Sequence, residues 1–186
     1  MIRLFQLAFV RQRKLVVSRY AGTTNATTAE TVIRLCLLTE AGDELLEQLS
    51  HFGEVTANAL ETTAAGKNYG REKAAWHAYA LALLAYRKAD YDSAYRWCNR
   101  ALDYDRGILV RDVSVQLIRA MACARLGRMD EAKADLKASR GPVEDDAKRL
   151  AGLTAKWQGY WFDWACARIL LREAAALIET DSGDSN

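Results

Sequence analysis

The sequence predicts an all-α fold, a short α-solenoid of antiparallel helical hairpins, and three observations support that prediction. Alanine and leucine occur in almost every segment, whereas the 186 residues include one proline and eleven glycines, fewer turn residues than sandwiches and barrels need. Apolar residues recur at helical spacing, and no alternating strand pattern extends beyond a few residues. Finally, a helix–turn–helix pattern repeats at a fixed offset.

Residues 1–70 are predicted to form a degenerate N-terminal helical repeat region. Residues 1–20 form a helix in this prediction, with an apolar side and five basic residues but no acid. Gly22 ends that helix. Residues 21–66 hold seven acids against one arginine. We therefore expect the apolar side of the first helix to dock on the next helices, with the opposite charges as neighbours.

Two further helices are expected within this region. Thr27, followed three residues later by Glu30, predicts a capping box at the start of the second helix. Gly42 is expected to precede the third helix, which ends near Gly66.

Residues 71–140 are predicted to form two helical hairpins. Each consists of two helices joined by a tight turn, and a looser link around Gly107 separates the hairpins. The expected helices are 71–87, 92–103, one that ends at 126, and 130–139.

Residues 141–180 are predicted to be C-terminal capping helices. Gly141-Pro142 is expected to break the chain and to begin a new helix, because proline is well accommodated in a first helical turn. The last helix is expected over residues 161–179. The polar tail 181–186 is expected to be disordered.

Small residues recur at an offset of 38 residues in the two hairpins. Antiparallel helices approach closely only where both faces carry small side chains, so this recurrence predicts close packing in both copies. The matched pairs are Ala82 with Ala120, Ala85 with Cys123, Ala89 with Gly127, Ala94 with Ala132, and Ala101 with Ser139.

The hairpins with these residues resemble the tetratricopeptide repeat, whose unit has 34 residues and small residues on each helix. A second resemblance covers more of the chain and concerns the C-terminal tetratricopeptide-type region of planctomycete-type serine/threonine kinases and related repeat proteins. It rests on Thr28-Ala29-Glu30, Leu35-Cys36-Leu37-Leu38, Trp161-Phe162-Asp163-Trp164 and the segment 167–174. The chain has no kinase motif, so this resemblance implies an accessory or scaffold module. It also implies that residues 1–20 match the second helix of a repeat whose first helix is absent, which leaves an apolar face unpaired.

The tetratricopeptide resemblance also implies a site, because in that family the first helix of each hairpin lines a concave groove. Helical spacing places the corresponding residues of each hairpin on one stripe, and aromatic residues with arginine are typical of protein-binding hot spots. The alternative is that Trp76 and Tyr79 pack on the preceding helix. The predicted partner-binding residues are Trp76, Tyr79, Leu83, Tyr86, Arg87, Leu117, Met121 and Arg125.

Tryptophans cluster near the C-terminus, at Trp157, Trp161 and Trp164. We expect them to seal the last hairpin, since terminal repeats need an atypical cap. The alternative is an aromatic platform for a partner or for single-stranded nucleic acid.

Several classes of function are disfavoured. His51 and His77 lack a nearby nucleophile, and no glycine-rich phosphate loop or hydrolase motif occurs, so we expect neither an enzyme nor a cofactor. The net charge of +2 gives no indication of a nucleic-acid partner. No stretch approaches the ~20 apolar residues of a membrane span. The isolated cysteines (Cys36, Cys98, Cys123 and Cys166) predict buried free thiols in a cytoplasmic protein without a metal site.

The sequence therefore predicts a non-catalytic module that binds a protein or peptide segment through a concave groove. One alternative is a homo-oligomer formed through the N-terminal helix. The other is nucleic-acid binding by that same basic helix, which the overall charge balance disfavours.

Overall fold

The computed structural model describes residues 2–66, 69–105, 107–151 and 160–180, and it describes side-chain environments for 9–66, 69–105, 107–146 and 160–180. Within these ranges the chain forms eight helices and no strand, which confirms the predicted all-α class. The helices are α1 (Ile2–Tyr20), α2 (Ala26–Cys36), α3 (Asp43–Ala64), α4 (Gly70–Arg87), α5 (Tyr91–Tyr104), α6 (Leu109–Arg125), α7 (Met129–Ala151) and α8 (Trp161–Thr180). The tail 181–186 and Trp157 lie outside the described residues.

From α2 to α7 each helix packs against the next, and α8 packs against α6 and α7. In addition α2 packs on α4, α4 on α6, and α6 on α8, so these four helices lie side by side in chain order. The helix α4 is buried on nearly all sides, which is why its sequence is rich in alanine and leucine throughout. By contrast α1 lies on α2 and only touches α3.

The turns after α4 and α6 have the same backbone structure. Ala89 and Gly127, the matched small residues of the two turns, adopt left-handed φ angles of 60° and 76°. Gly127 suits this conformation because glycine has no Cβ. Three matched hydrogen bonds close each turn: Lys88 N to Leu84 O, Ala89 N to Tyr86 O and Asp90 N to Ala85 O in the first, and Leu126 N to Ala122 O, Gly127 N to Ala124 O and Arg128 N to Cys123 O in the second. The predicted offset of 38 residues therefore holds for both turns.

The matched small residues are buried where the hairpin helices meet. Except for Ala85, which is half-buried, they are at most 1% exposed on the helices: Ala82, Ala94, Ala101, Ala120, Cys123, Ala132 and Ser139. A larger side chain at these positions has no space without displacement of a neighbouring helix.

Replacing Ala94 or Ala132 with leucine is expected to lower the free energy of unfolding by about 1–3 kcal/mol each, because both methyl groups are fully buried. Thermal unfolding followed by circular dichroism measures the effect. The control is Ala134→Leu on the exposed side of α7, which should leave the melting temperature nearly unchanged. Equal melting curves for all three variants would contradict the close approach of the hairpin helices.

The start of α2 differs from the predicted capping box. Asn25 caps the helix, and its side-chain oxygen accepts a hydrogen bond from the backbone N–H of Thr28 at 3.0 Å. Because α2 begins at Ala26, Thr27 lies within its first turn. Glu30 is free for another role: it is 4% exposed and pairs with Arg34. The capping-box prediction was wrong because Asn25 is an equally good cap two residues earlier.

Gly141-Pro142 does not break the chain, because α7 continues through Pro142 to Ala151. The predicted boundary between residues 140 and 141 therefore lies inside a helix. Proline removes one backbone hydrogen bond, but the buried side of α7 continues unchanged past it, and this burial stabilises the continuous helix. Buried residues follow at steps of four and three along it: Ala132, Leu136, Ser139, Val143 and Asp146.

Candidate binding site between α4, α6 and α8

Most of the predicted partner-binding stripe is part of the core. Five of its eight residues are at most 7% exposed, so they offer a partner little or no surface in this conformation. Trp76 is half-buried, the side chain of Arg87 is 4% exposed, and only Arg125 is exposed. The stripe was expected to face an open groove, and this expectation needs correction. The buried members are Tyr79, Leu83, Tyr86, Leu117 and Met121.

The helix α8 explains this burial, because it packs against α6 and forms ion pairs with α2 and α4. Asp163 at its N-terminal end pairs with Arg34 of α2 at 2.8 Å. Glu173 in its middle pairs with Arg87 of α4, with 2.7 Å between Nη2 and Oε2. These two ion pairs join residues 129 and 86 positions apart in the chain, so they close the layer of α2, α4, α6 and α8.

Arg34 is the centre of a buried polar cluster. Its guanidinium donates to Glu30 at 2.7 Å and to Asp163 at 2.8 Å, and it lies 4.4 Å from the ring centre of Trp76. Burial raises the pKa of Glu30, while the guanidinium opposes that rise. The ring of Tyr160 stacks on Trp76 with 6.2 Å between centroids. These contacts are structural, since both the charges and the rings already have partners.

Tyr79 lies beneath this cluster and is 2% exposed. Burial raises the pKa of its hydroxyl well above the ordinary range, although Arg34 and Ser114 act against that rise. The hydroxyl is therefore neutral at physiological pH. The groups that act on this hydroxyl belong to α2, α6 and α8, whereas the alternative interpretation of the stripe placed Tyr79 on the preceding helix, α3.

An open pocket remains at the C-terminal ends of α4 and α6. Its volume is about 410 Å³, which falls within the range of natural ligand pockets. The walls come from the α2–α3 link, both ends of the α4–α5 turn, the end of α6 and the middle of α8. The lining residues are Glu40, Ala41, Tyr86, Arg87, Ala89, Tyr91, Arg125, Glu173 and Leu177.

Arg87 forms the floor of the pocket rather than a free recognition group. Its side chain is 4% exposed, and it donates to the carbonyl oxygens of Leu37 at 3.0 Å and Leu38 at 3.3 Å as well as to Glu173. All three guanidinium nitrogens are thus engaged. Arg87 holds the end of α2 and the middle of α8 together, which fixes the shape of the pocket.

Arg125 and Glu40 are the exposed charged groups of the pocket. Arg125 lies against the hydroxyl of Tyr86. Burial raises the pKa of that hydroxyl, the carboxylate of Glu173 raises it further, and Arg125 acts in the opposite direction. The rings of Tyr86 and Tyr91 are 5.7 Å apart and tilted by 52°. With Leu177 they offer an apolar surface between two opposite charges.

Sequence reasoning found three of the pocket residues, Tyr86, Arg87 and Arg125, and missed the others. Glu40 and Glu173 gave no local signal, since each is one acid among 24 in the chain. Only the packing of α8 brings Glu173 to Arg87.

The two described tryptophans of the C-terminal cluster have different environments. Trp161 is 54% exposed, whereas Trp164 packs against the core.

The histidines and cysteines form no recognisable catalytic arrangement among the described residues. His77 is 3% exposed, and burial lowers its pKa, whereas His51 lies on the exposed side of α3. All four cysteines are free and buried, as predicted. Burial raises the pKa of Cys36 and Cys123 to about 11 and of Cys166 to about 12, so these thiols are protonated and poorly nucleophilic.

In the described part of the chain, no three potential ligands among histidine, cysteine, aspartate and glutamate side chains come together around a metal position. None of the described helices combines the length and the apolar character needed to cross a membrane.

Three comparisons with known proteins gave the same result. No protein-family model, curated protein or solved structure matches this chain. The interpretation of the pocket therefore depends on its own residues and on their chemistry.

Proposed function

We propose that this chain is a non-catalytic protein-interaction module with a short, tetratricopeptide-like α-solenoid architecture. Its partner is a protein or peptide segment that anchors a side chain in the pocket between α8 and the C-terminal ends of α4 and α6. The module acts as a scaffold in a reducing, cytoplasmic environment. The free, buried thiols support this last point.

The hairpin geometry supports the architectural part of the proposal. Two successive helical hairpins share their turn hydrogen bonds and their buried small residues at one offset. The first helices of the hairpins lie side by side, and each second helix packs against the first helix of the next hairpin. This is the arrangement expected of stacked helical repeats.

One observation carries the functional part: three of the eight predicted stripe residues line one open pocket. Tyr86, Arg87 and Arg125 come from the ends of two neighbouring helices, and they meet there. The tyrosine rings with Leu177 suit an apolar side chain, while Arg125 and Glu40 suit flanking charges of opposite sign. Aromatic residues with arginine, in a concave and partly apolar setting, are typical of binding hot spots.

Arg125→Glu is expected to weaken partner binding by at least about 30-fold, the effect of losing one hot-spot residue, while thermal stability changes little because Arg125 is exposed. The measurement is affinity capture from the native cells with quantitative mass spectrometry, followed by titration of the captured partner. The matched control is Arg172→Glu, which makes the same charge change at an exposed position of α8.

Partners that are lost with Arg125→Glu and retained with Arg172→Glu support the pocket as the contact. If both variants capture the same proteins as the unmodified chain, in the same amounts, the proposed contact is wrong.

A further inference from the structure

The N-terminal helix α1 is attached to the rest of the chain by one narrow side. From residue 9 onward, Arg13 and Val17 are buried, Phe9 and Val16 are half-buried, and the remaining positions of the helix are exposed. Arg13 donates hydrogen bonds to the carbonyl oxygens of Glu40 at 3.0 Å and Thr39 at 3.2 Å. The attachment therefore holds the helix in place but leaves most of the surface of residues 9–20 open.

The open side of α1 carries a basic face, formed by Arg11, Lys14 and Arg19 with Leu15 between them. All four side chains are exposed, Leu15 by 54%. Steps of three and four residues place them on one side of the helix, opposite Arg13 and Val17. No ion pair within the described ranges involves these three cations. The basic face thus has no partner in its own chain among those residues.

The helix α3 carries a matching acidic face, formed by Asp43, Glu44, Glu47 and Glu54. These carboxylates are exposed, and steps of three, four and seven residues align them along one side. In the described part of the chain none of them joins an ion pair. At 1.5 Å per residue the acidic face is about 16 Å long and the basic face of α1 about 12 Å long, so the two faces are similar in length.

Among the described residues, the charges of these two faces do not pair with each other within one chain. The one buried cation among residues 9–20, Arg13, bonds to carbonyl oxygens and to the hydroxyl of Thr39 rather than to a carboxylate. Two open faces of opposite charge at the same end of the molecule can instead form ion pairs between two copies of the chain. A two-fold axis brings both pairs of faces together at once, and such an interface closes after two subunits.

We propose that this chain forms a symmetric dimer in which the basic face of α1 of each copy lies on the acidic face of α3 of the other copy. The contact is independent of the pocket, so failure of one proposal leaves the other standing. Because exposed charges dominate the interface, the dimer is sensitive to salt. Leu15 adds a buried apolar contact at the centre of each basic face.

The test is the molar mass of the full chain by sedimentation equilibrium at roughly 50 mM and roughly 500 mM salt, where screening differs strongly. We expect a dimer at low salt and a dissociation constant at least about ten-fold higher at high salt. Two charge-reversal variants extend the test. The first is Arg11→Glu, Lys14→Glu, Arg19→Glu, and the second is Glu44→Lys, Glu47→Lys, Glu54→Lys.

Each variant alone is expected to be a monomer, because each brings like charges together across the interface. An equimolar mixture of the two is expected to form a 1:1 heterodimer, since both pairs of faces are then complementary again. The control is Lys133→Glu, Lys137→Glu, Arg172→Glu, which makes the same charge change at exposed positions of α7 and α8 and should stay dimeric. Rescue by mixing also shows that both variants are folded.

Two results overturn the proposal. One is a monomeric wild-type chain at roughly 50 mM salt and at high protein concentration. The other is a mixture of variants that stays monomeric while the wild-type chain dimerises, which places the interface elsewhere. If the wild-type chain is monomeric and a DNA duplex binds it through Arg11, Lys14 and Arg19, the basic face serves an anionic polymer instead.

Discussion

Replacing Tyr79 with alanine is expected to lower the free energy of unfolding by about 3–5 kcal/mol, the usual cost of deleting a buried aromatic ring. Tyr79 is 2% exposed and packs in the layer of α4, α6 and α8. For a chain of this size the melting temperature should fall by about 2–4 °C for each kcal/mol. The measurement is chemical unfolding followed by circular dichroism, with thermal melting as a second probe.

The conservative control is Tyr79→Phe, which keeps the ring and removes only the hydroxyl beside Ser114. We expect a loss near 1 kcal/mol for this variant. A Tyr79→Ala protein that melts like the unmodified chain but no longer binds its partner would restore the original interpretation of Tyr79 as a contact residue.

Arg34→Met is expected to cost about 3–5 kcal/mol, because it leaves the buried carboxylate of Glu30 without its counter-charge. The side chains of Arg34 and Glu30 are 14% and 6% exposed, so water screens their interaction little. The same substitution also frees Asp163 and removes the guanidinium from the face of Trp76. The control is Arg100→Met, which breaks an exposed pair with Glu61 and should cost less than about 1 kcal/mol.

The loss of stability caused by Arg34→Met should depend on pH in a defined direction. Burial raises the pKa of Glu30 in the folded protein, and Arg34 limits that rise, so the variant has a still higher folded-state pKa. A carboxyl group whose pKa is raised by folding favours the folded state below its unfolded pKa, and this advantage is lost as the pH rises through the folded-state pKa.

We therefore expect the stability difference between Arg34→Met and the unmodified chain to be smallest near pH 4. It should grow as the pH rises and reach its full value near neutrality. Denaturant midpoints measured from pH 4 to pH 8 give this curve. A stability difference that is constant over that range would show that the loss comes mainly from lost packing rather than from the charge of Glu30.

Local signals in the sequence were sufficient for the helices and for the two hairpin turns. Gly42 precedes α3, α4 begins at Gly70, one residue before the predicted start, and the turns at Ala89 and Gly127 lie where the small residues indicated. Local signals failed where two of them competed. Asn25 rather than Thr27 caps α2, and the buried side of α7 outweighs the disruptive effect of Pro142.

The candidate site was only partly predictable, for a reason that concerns distance along the chain. The predicted stripe grouped Tyr86 with Arg87, the repeat offset brought Arg125 into the same set, and all three line the pocket. Whether such a stripe is open or covered depends on a helix that follows dozens of residues later. The pairing of Glu173 with Arg87 spans 86 residues, and no local pattern encodes it.

The sequence by itself determined that this protein is helical, where its tight turns lie and which small residues let the hairpin helices approach, because periodicity, capping and side-chain size act within a few residues of one another. Only the tertiary structure decided that α8 covers the middle of the predicted stripe, that a pocket remains at one end, and that the faces of α1 and α3 form no ion pair within the described ranges. Those outcomes depend on which surfaces meet, and that is set by the summed burial and charge pairing of segments far apart in the chain.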